Sequence, residues 1–579
     1  MVSIIIPLLN NLDMTKECIA TIEQFTPEPH EIIFVDNGSQ DGTGQYLQFN
    51  MKPHWKLIVN DKNEGFPRAC NQGMAVAEGE YVLLLNNDVL VSPEWLKGLL
   101  ECINSADDIG IVGPKSNYVS GAQQVTEGTY SDADSYIEFA KAFRKTFKGC
   151  YLPRWRIVGF CFLFRKSLID KIGYFDERFS PGNFEDDDYC LRAMEAGYRN
   201  MICSDVFIHH HGSKSHDPAT FQQLLNTNQK KYEEKWDAAV PKKISTVMIV
   251  KDEANYITEC IKSFYDHVDE VVVVDTGSID ITKLMAESCG EKVKTYDFEW
   301  CEDFSAARNF ANSKATGDWI FSVDADEVIT GLENLKSKLN HPYRAYRINT
   351  RNYTNKLTVS DWHPNTGEYK EETGAGWFSS EKIRLWRNDP RICFEFPVHE
   401  VVENSVYFLG WSIVTDYSIQ VHHYSRTRDD YEYGHGSKYY DLLHKQFKTG
   451  KDDLRSLEQL ATQAQGLEKW DDALKFWDEV LKIEPTHATA FQNIGHCHAT
   501  LGNWPEALMW SHKAWKVKPD CKEIAMNVAI CEHMSKGDEQ LTEKICEDLI
   551  EKHPLYPLPR ALLGAIQKIR SNMIYSGGV

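Results

Sequence analysis

The sequence lacks several features that mark common classes of protein. No apolar run approaches the roughly 20 residues that a membrane-spanning helix requires, so we expect no transmembrane segment. Positive charge is in deficit, because 63 lysines and arginines stand against 85 aspartates and glutamates, a net charge of −22. A surface this acidic repels a phosphate backbone, and we therefore expect no nucleic acid partner. A small anion can still bind where a metal ion reverses the local charge.

Cysteine pairs at the spacing of a metal or redox site are also missing. The 15 cysteines form no Cys-x-x-Cys motif, and the two closest in sequence are Cys521 and Cys531. Several lie in apolar runs, as Cys161 does, which is typical of reduced core residues. The chain begins with the strand-like run Ser3–Pro7, without a basic leader segment. These observations predict a soluble, cytoplasmic protein.

A short internal repeat is present near the C-terminus. The segment Trp470-Asp-Asp-Ala-Leu474 recurs as Trp504-Pro-Glu-Ala-Leu508, an offset of 504 − 470 = 34 residues. A helix–turn–helix unit of this length resembles the tetratricopeptide repeat, whose copies stack into a concave surface. We expect a third, degenerate copy before Pro554 and a preceding helix near Leu454–Leu467. Such a surface can bind a protein partner or mediate a dimer.

A longer repeat indicates that one module occurs twice. Its landmarks are Asp36 and Asp275 (275 − 36 = 239), Asn71 and Asn309 (309 − 71 = 238), and Asp88 and Asp326 (326 − 88 = 238). We therefore predict three domains: module one (1–240), module two (241–450) and a tail of helical repeats (451–579). The junction of the modules is predicted at Pro241-Lys-Lys243.

Within each module, β-branched strands alternate with helical segments, which predicts an α/β domain with a largely parallel sheet covered on both faces. Ligands of such sheets bind at the carboxyl ends of the strands. The aspartates of the repeat lie at these ends. Asp36 and Asp275 each precede Gly-Ser, a sequence that also forms turns and helix caps, and we expect both to contact a ligand.

Carboxylates at two further strand ends suit a divalent cation. Asp324-Ala-Asp326 offers two, and the equivalent Asn86-Asn-Asp88 offers only Asp88. Mg²⁺ and Mn²⁺ prefer such oxygens and stabilise a departing diphosphate. Histidines at the end of a later strand could complete each site. We predict His209 and His211, which share one face of a strand, in module one, and His423 rather than His422 in module two.

Transfer of a group to a hydroxyl also needs a general base. Module one has four carboxylates at the start of a helix, in Phe184–Arg192, and crowding of these charges raises the pKa of at least one. Module two has no such cluster. There we predict Glu400 as the base, with His399 as the alternative.

Taken together, these motifs resemble the inverting family-2 glycosyltransferases, which share the GT-A, or nucleotide-diphospho-sugar transferase, fold. Module one is similar to the rhamnosyl- and N-acetylglucosaminyltransferase-like branch, on the segments Ser3–Asn10, Val35–Gly42, Asn63–Gly73, Asn86–Asp88 and Phe184–Arg192. Module two is similar to a bacterial branch that often carries tetratricopeptide tails, on Met248–Glu253, Val274–Ser278, Asp303–Asn309, Asp324–Glu327 and Ile383–Arg387.

This resemblance implies two Rossmann-like GT-A domains followed by an all-α domain. It also implies residue roles: Asp186 as base, Asp88 at the metal, and nucleotide contacts by Asn10, Asp36, Arg68, Asn71, Asp252, Asp275, Arg308 and Asn309. The expected cofactors are Mn²⁺ or Mg²⁺ and a nucleotide-sugar, with UDP preferred over dTDP or GDP.

The preferred hypothesis is a bifunctional transferase that acts on a glycan, peptide or protein acceptor. Two alternatives stay open. One module could be catalytic and the other a scaffold, or the chain could be an interaction protein organised by its helical repeats.

Overall fold

A computed structural model describes residues 1–126, 128, 130–212, 218–237, 242–339, 343–357, 359, 361–424, 434–448 and 454–576. The chain divides into two compact units. The first comprises 1–241, 337–345 and 403–414, and the second comprises 242–336, 346–402 and 415–579. The predicted domain boundaries at 240/241 and 450/451, with Pro241, lie outside the described residues.

Module one alternates strands and helices over its whole length. Its strands are β1 (Val2–Leu8), β2 (His30–Asp36), β3 (Trp55–Val59), β4 (Tyr81–Leu85), β5 (Val89–Leu90), β6 (Ile109–Ser116), β7 (Tyr151–Pro153), β8 (Cys161–Arg165) and β9 (Arg199–His210). Its helices are α1 (Leu12–Phe25), α2 (Thr43–Phe49), α3 (Phe66–Val76), α4 (Trp95–Ile103), α5 (Ala133–Phe147), α6 (Ser167–Ile172), α7 (Glu185–Glu195) and α8 (Pro218–Asp237).

Module two has the corresponding nine strands but, within the described part of the chain, fewer helices between them, with none between β15 and β16. Its strands are β10 (Ile244–Val250), β11 (Glu270–Asp275), β12 (Val293–Asp297), β13 (Trp319–Ser322), β14 (Glu327–Thr330), β15 (Tyr343–Thr354), β16 (Trp362–Pro364), β17 (Gly376–Arg387) and β18 (Ser412–His423). Its helices are α9 (Ile257–Phe264), α10 (Thr282–Glu287), α11 (Phe304–Lys314), α12 (Leu335–Lys338), α13 (Glu403–Phe408) and α14 (Gly434–Lys448).

Sheet topology confirms that the two modules share one fold. Among the described residues, each module has a nine-stranded sheet, in the order β3-β2-β1-β4-β8-β6-β9-β5 and β12-β11-β10-β13-β17-β15-β18-β14. Adding nine to each strand number of the first order gives the second. The short strands β7 and β16 differ, since β7 pairs with β9 and β16 with β17.

The sheets are mixed rather than largely parallel, which corrects the sequence prediction. Strands β1 to β4 are mutually parallel, but β8 runs antiparallel to both β4 and β6. The apolar residues of β8 do not reveal its direction, because a strand that is covered on both faces is apolar whether it runs parallel or antiparallel to its neighbours.

A polar network near the start of the first strand of each module, at the end of the sheet away from the strand-end aspartates, is nearly identical in the two modules. Ser3 Oγ donates to Glu31 Oε1 at 2.6 Å and accepts from Gly79 N at 2.8 Å. In module two, Ser245 Oγ donates to Glu270 at 2.6 Å and accepts from Gly317 N at 2.8 Å. A buried network that recurs with its partners supports the duplication independently of the strand-end motifs.

The tail consists of antiparallel helices with the predicted period. Its helices are α15 (Leu454–Gly466), α16 (Trp470–Ile483), α17 (Ala488–Thr500), α18 (Trp504–Val517), α19 (Lys522–Met534), α20 (Glu539–Lys552) and α21 (Leu558–Ser576). Both α16 to α18 and α17 to α19 begin 34 residues apart (504 − 470 and 522 − 488). Helix α20 ends just before Pro554, as expected for a third copy.

The structure bears on two expectations from the sequence, the lack of a transmembrane segment and the reduced state of the cysteines. Among the described residues, no helix has both the length and the apolar content that crossing a membrane requires. All 15 cysteines lie in the described part of the chain, and each is a free thiol.

Candidate active sites

The loops after β2 and β11 are built in the same way. Asp36 accepts a hydrogen bond from Ser39 N at 2.9 Å, and Asp275 accepts from Ser278 N at 2.7 Å. Each loop is also tied to the residue after the first strand of its module. Asn10 accepts from Gln40 N, and Asp252 accepts from Ile279 N, both at 2.8 Å. The predicted nucleotide contacts Asn10, Asp36, Asp252 and Asp275 therefore shape a pair of equivalent loops.

A cavity of about 490 Å³ lies beside the loop of module two. Half of its lining residues are acidic, and the full lining comprises Asp275, Gly277, Ser278, Asp280, Lys283, Asp297, Phe298 and Glu299. Negative side chains repel a phosphate but can accept hydrogen bonds from a neutral base or a ribose. The cavity therefore suits the nucleoside end of a ligand.

In module one, Asp88 faces a single imidazole. Its Oδ1 lies 3.2 Å from Nε2 of His210. The other ring nitrogen of His210, Nδ1, is 2.7 Å from the carbonyl oxygen of Tyr118. A carbonyl can only accept, so Nδ1 carries a hydrogen, and in the tautomer that has no hydrogen on Nε2 the lone pair of Nε2 points at the carboxylate. Two acceptors that face each other in this way fit a cation between them.

Module two repeats this arrangement with Asp326 and His423. Oδ2 of Asp326 lies 3.4 Å from Nε2 of His423, and Nδ1 of His423 lies 2.8 Å from Oδ1 of Asn352. Although burial lowers the pKa of His423, the hydrogen bond and charge of Asp326, with the charges of Glu327 and Asp324, outweigh burial and raise it. Asp326 therefore favours the protonated ring, and a cation bound here would displace that proton. Of the two histidines, His423 is the one that faces Asp326, and its predicted role as a metal ligand stays a prediction.

The corresponding prediction for module one named His209 and His211, and the structure places His210 there instead. Nδ1 of His209 contacts the hydroxyl of Tyr130, and burial lowers the pKa of His209 to about 4. His211 lies 3.5 Å from Glu17. His209 corresponds to His422, which likewise contacts a tyrosine, Tyr353, through Nδ1 at 2.8 Å. Matching the second histidine of each pair would have found His210.

The first carboxylate of the Asp-Ala-Asp motif, Asp324, is neutralised by an arginine. Both terminal nitrogens of buried Arg308 are engaged, Nη2 with Asp324 and Nη1 with Ser322 Oγ at 3.4 Å, and Nε donates to Glu400 at 3.0 Å. Burial favours protonation of Asp324, but the charges of Arg308, Arg384 and Lys382 outweigh it and lower the pKa.

Module one has neutral residues at both of these positions. Cys70 corresponds to Arg308, and Asn86 corresponds to Asp324. Module two therefore has no advantage in uncompensated charge, since each module presents one aspartate and one histidine. The described residues contain no group of three or more histidines, cysteines or acidic residues that could hold a metal.

The four carboxylates at the start of helix α7 have different surroundings. Asp188 is fully buried and paired with Arg192 and Lys235, so it holds the helix in place. Asp187 pairs with Arg156, yet burial and the nearby Asp186 still raise its pKa. Burial and Asp186 also raise the pKa of Glu185.

Asp186 lies close to the Asp88–His210 pair. It accepts from the backbone of Gly159 at 2.8 Å, and the next residue, Phe160, accepts from Asn86 N at 2.9 Å. The ring of Phe160 stacks on His210 at 5.2 Å. The two residues Gly159 and Phe160 therefore join the predicted base to the predicted metal site.

The remaining predicted contacts differ in what they hold. Asn71 exchanges two hydrogen bonds with the backbone of Phe175, and Asn309 does the same with Phe394. Both asparagines thus anchor a neighbouring loop, and their contact with a nucleotide stays a prediction. The side chain of Arg68 is 52% exposed and lies 3.8 Å from Glu64, so its guanidinium group remains accessible to a ligand.

Several curated proteins are similar to parts of this chain. A TPR repeat-containing protein of Synechococcus elongatus is 38% identical over 194 residues, which cover 32% of this chain and 43% of that protein. The glycosyltransferase GlyG of Streptococcus pneumoniae is 29% identical over 120 residues, 20% of this chain and 40% of that protein. The chondroitin synthase of Escherichia coli is 23% identical over 375 residues, 56% of this chain and 54% of the synthase.

The chain spans less than two thirds of the length of each of these relatives. Among solved structures, a mannosyltransferase of Pyrobaculum calidifontis in complex with GDP-Man and Mn²⁺ matches with a TM-score of 0.30 at 18% identity, covering 40% of this chain and 63% of that one. The model of glycosyl transferase family 2 matches two separate segments, residues 3–173 and 245–395, which together make up more than half of the sequence. One segment falls in each module, and the chain belongs to glycosyl transferase family 2.

Proposed function

We propose that the protein is a bifunctional inverting glycosyltransferase in which each module moves one sugar from a nucleotide-sugar, with UDP-sugars the first candidates. The acceptor is a glycan, peptide or protein. The match to chondroitin synthase covers more of the chain than either family segment does alone, which supports two working modules in one chain.

The observation that carries this proposal is the recurrence of one aspartate–histidine pair at equivalent places in both modules. An oxygen and an imidazole nitrogen are good ligands for Mn²⁺, and Mg²⁺ is commonly held by one or two carboxylates together with substrate phosphates. Asp88 with His210, and Asp326 with His423, would hold such a cation. Its remaining ligands would come from the donor diphosphate and water.

When bound, the cation supplies positive charge that stabilises the departing diphosphate. The chain itself provides orientation. The loops of Asp36 and Asp275 would hold the nucleoside, and Tyr118 and Asn352 fix the imidazole rings through the nitrogen that faces away from the cation site.

Asp186 and Glu400 are the proposed bases that take the proton of the acceptor hydroxyl. Each is joined to its cation site, Asp186 through Gly159 and Phe160 and Glu400 through Arg308. We expect Asp186→Asn and Glu400→Gln each to lower kcat for one transfer by at least about 100-fold, because a positioned base contributes this much. Donor affinity should stay nearly unchanged. A variant that lowers donor affinity and kcat together would contradict a role confined to proton removal.

Arg308 and Asp324 give a second test, because module one shows what the site is like without them. We expect the double variant Arg308→Cys/Asp324→Asn to retain the Mn²⁺ affinity of module two, since Asp326 and His423 are untouched. Titration followed by electron paramagnetic resonance, in an Asp88→Asn background, measures this affinity. The single variant Arg308→Cys is the matched comparison, and it leaves Asp324 and Glu400 without their partner. A severe loss of affinity in the double variant would assign Asp324 to the cation.

The proposal as a whole is tested by calorimetry of the full chain with UDP, GDP and dTDP in the presence of Mn²⁺. Two equivalents of nucleotide per chain are expected, falling to one in Asp88→Asn and in Asp326→Asn. One equivalent in the wild type would favour a single catalytic module with the other as a scaffold. No binding of any nucleotide would favour the interaction protein.

A further inference from the structure

The loop that carries Glu400 is short and strained. Residues 396–400 are closed by two backbone hydrogen bonds between Glu395 and Val401, of 2.9 and 3.2 Å. Phe396 and His399 have φ angles of 74° and 55°. A side chain in this left-handed region costs of the order of 1–3 kcal/mol, and it persists only where surrounding structure holds it. The position of Glu400 therefore depends on what packs against this loop.

Helix α14 and the first helix of the tail, α15, supply that packing. The side chain of Val398 is 1% exposed and lies in an apolar cluster with Tyr440, Leu443 and Leu457, from α14 and α15. Arg455 of α15 donates from Nη2 to the carbonyl oxygen of His399 at 2.8 Å. Its guanidinium also lies 4.8 Å from the ring of Phe396. Arg455 thus contacts both residues of the loop that have a strained backbone.

Helix α14 also holds the start of α11, the helix that carries Arg308. The ring of Tyr439 lies 5.4 Å from that of Phe304, and Lys445 pairs with Glu302 at 2.8 Å. Phe304 N in turn donates to the carbonyl of Pro397 at 2.9 Å. Glu400 and its partner Arg308 are therefore positioned by one set of helices.

Module one has a similar arrangement around the loop that contains Phe179, Pro181 and Gly182. Phe66 N donates to the carbonyl of Pro181 at 2.8 Å, as Phe304 does to Pro397. Helix α8 follows the last long strand of its sheet as α14 does, and its buried Asn228 donates to the carbonyls of Phe179 and Gly182 at 2.6 and 2.8 Å. In module one, helix α8 holds this loop. In module two, Arg455 of the tail contacts the corresponding loop in addition to helix α14.

We infer that the tail is a working part of the second active site, with Arg455 and Val398 as positioning residues for Glu400. This inference rests on the proposed role of Glu400. It distinguishes the tail from a docking platform that is merely attached to module two, because removing one tail side chain should then disturb proton removal without disturbing donor binding.

The test uses Arg455→Ala in the full chain, with module one silenced by Asp88→Asn. Hydrolysis of the best-cleaved member of a panel of UDP-, GDP- and dTDP-sugars is measured with Mn²⁺, together with amide hydrogen exchange of residues 395–401. We expect kcat to fall about 10- to 100-fold, since a small misplacement of a catalytic group has this effect, with little change in donor KM. Exchange in the loop should accelerate, and Arg455→Lys should restore part of both.

Arg570→Ala is the matched control, because Arg570 of α21 pairs only with Glu539 and Glu543 of the tail among the described residues. It should change neither kcat nor exchange in the loop. Unchanged exchange of 395–401 in Arg455→Ala overturns the inference whatever the activity, and so does an unchanged kcat. If Glu400→Gln itself keeps full activity, the assignment of the base fails, which is a separate result.

Discussion

We expect Asp88→Asn to lower the rate of one transfer step by about 1,000-fold or more, and Asp326→Asn to lower the rate of the other step by as much. Each substitution exchanges the carboxylate that faces the histidine of its module for a neutral amide, and the neighbouring position offers no replacement, since Asn86 is uncharged and Asp324 is paired with Arg308. Without that charge, a cation is no longer held against the imidazole. Rates of sugar transfer or of donor hydrolysis at saturating Mn²⁺ measure the loss for each module.

Two neighbouring histidines provide the control for this prediction. His210→Ala should reproduce most of the loss seen for Asp88→Asn, because it removes the nitrogen 3.2 Å from the carboxylate. His209→Ala should leave transfer nearly unchanged, because the side chain of His209 contacts Tyr130 instead. The reverse order of effects, with His209 essential and His210 dispensable, would contradict the assignment of the site.

The internal repeat made much of the fold predictable from the sequence. Strand-end motifs at offsets of 238 and 239 residues required two copies of one module, and the identical strand orders confirm this. The 34-residue period likewise predicted the helices of the tail. The direction of β8 was not predictable, because it depends on which strands become neighbours rather than on the residues within the strand.

Parts of the site could not be predicted for a similar reason. Alternation predicted one face for His209 and His211, and their rings lie 4.8 Å apart, but β9 ends at His210. Only the pairing of β5 with β9 shows which histidine meets Asp88. In that pairing, Val89 lies opposite His210. The charge of Asp324 posed the same difficulty, since Arg308 is 16 residues away in sequence and meets it only after α11 packs on the sheet. Spacing alone reveals candidate ligands, but not which of them are already neutralised.

The largest expected effect on stability concerns a buried ion pair that only module two has. Arg384 binds both oxygens of Glu327 at 2.8 and 2.6 Å, and the two residues are 5% and 0% exposed. We expect Glu327→Ala to lower the free energy of unfolding of module two by about 3–5 kcal/mol, because it leaves a buried guanidinium without its carboxylate and with only neutral partners such as Thr350. Glu327 also accepts from Asp324 N at 2.8 Å, so the cation site should loosen as well. Urea unfolding followed by hydrogen exchange of β13 and β17 measures the change, with β4 and β8 of module one as an internal reference.

Module one shows how this loss can be reversed. Val89 follows Asp88 as Glu327 follows Asp326, and Phe162 occupies in β8 the place of Arg384 in β17. Replacement of a buried ion pair by apolar residues is often neutral or stabilising, so Glu327→Val/Arg384→Phe should recover most of the stability that Glu327→Ala loses. The exposed pair of Lys336 with Asp269 is the control, and Lys336→Ala should cost less than about 1 kcal/mol. If the double variant is less stable than Glu327→Ala, the two modules fill this part of their cores differently, and the ion pair of module two has a structural role that apolar packing cannot replace.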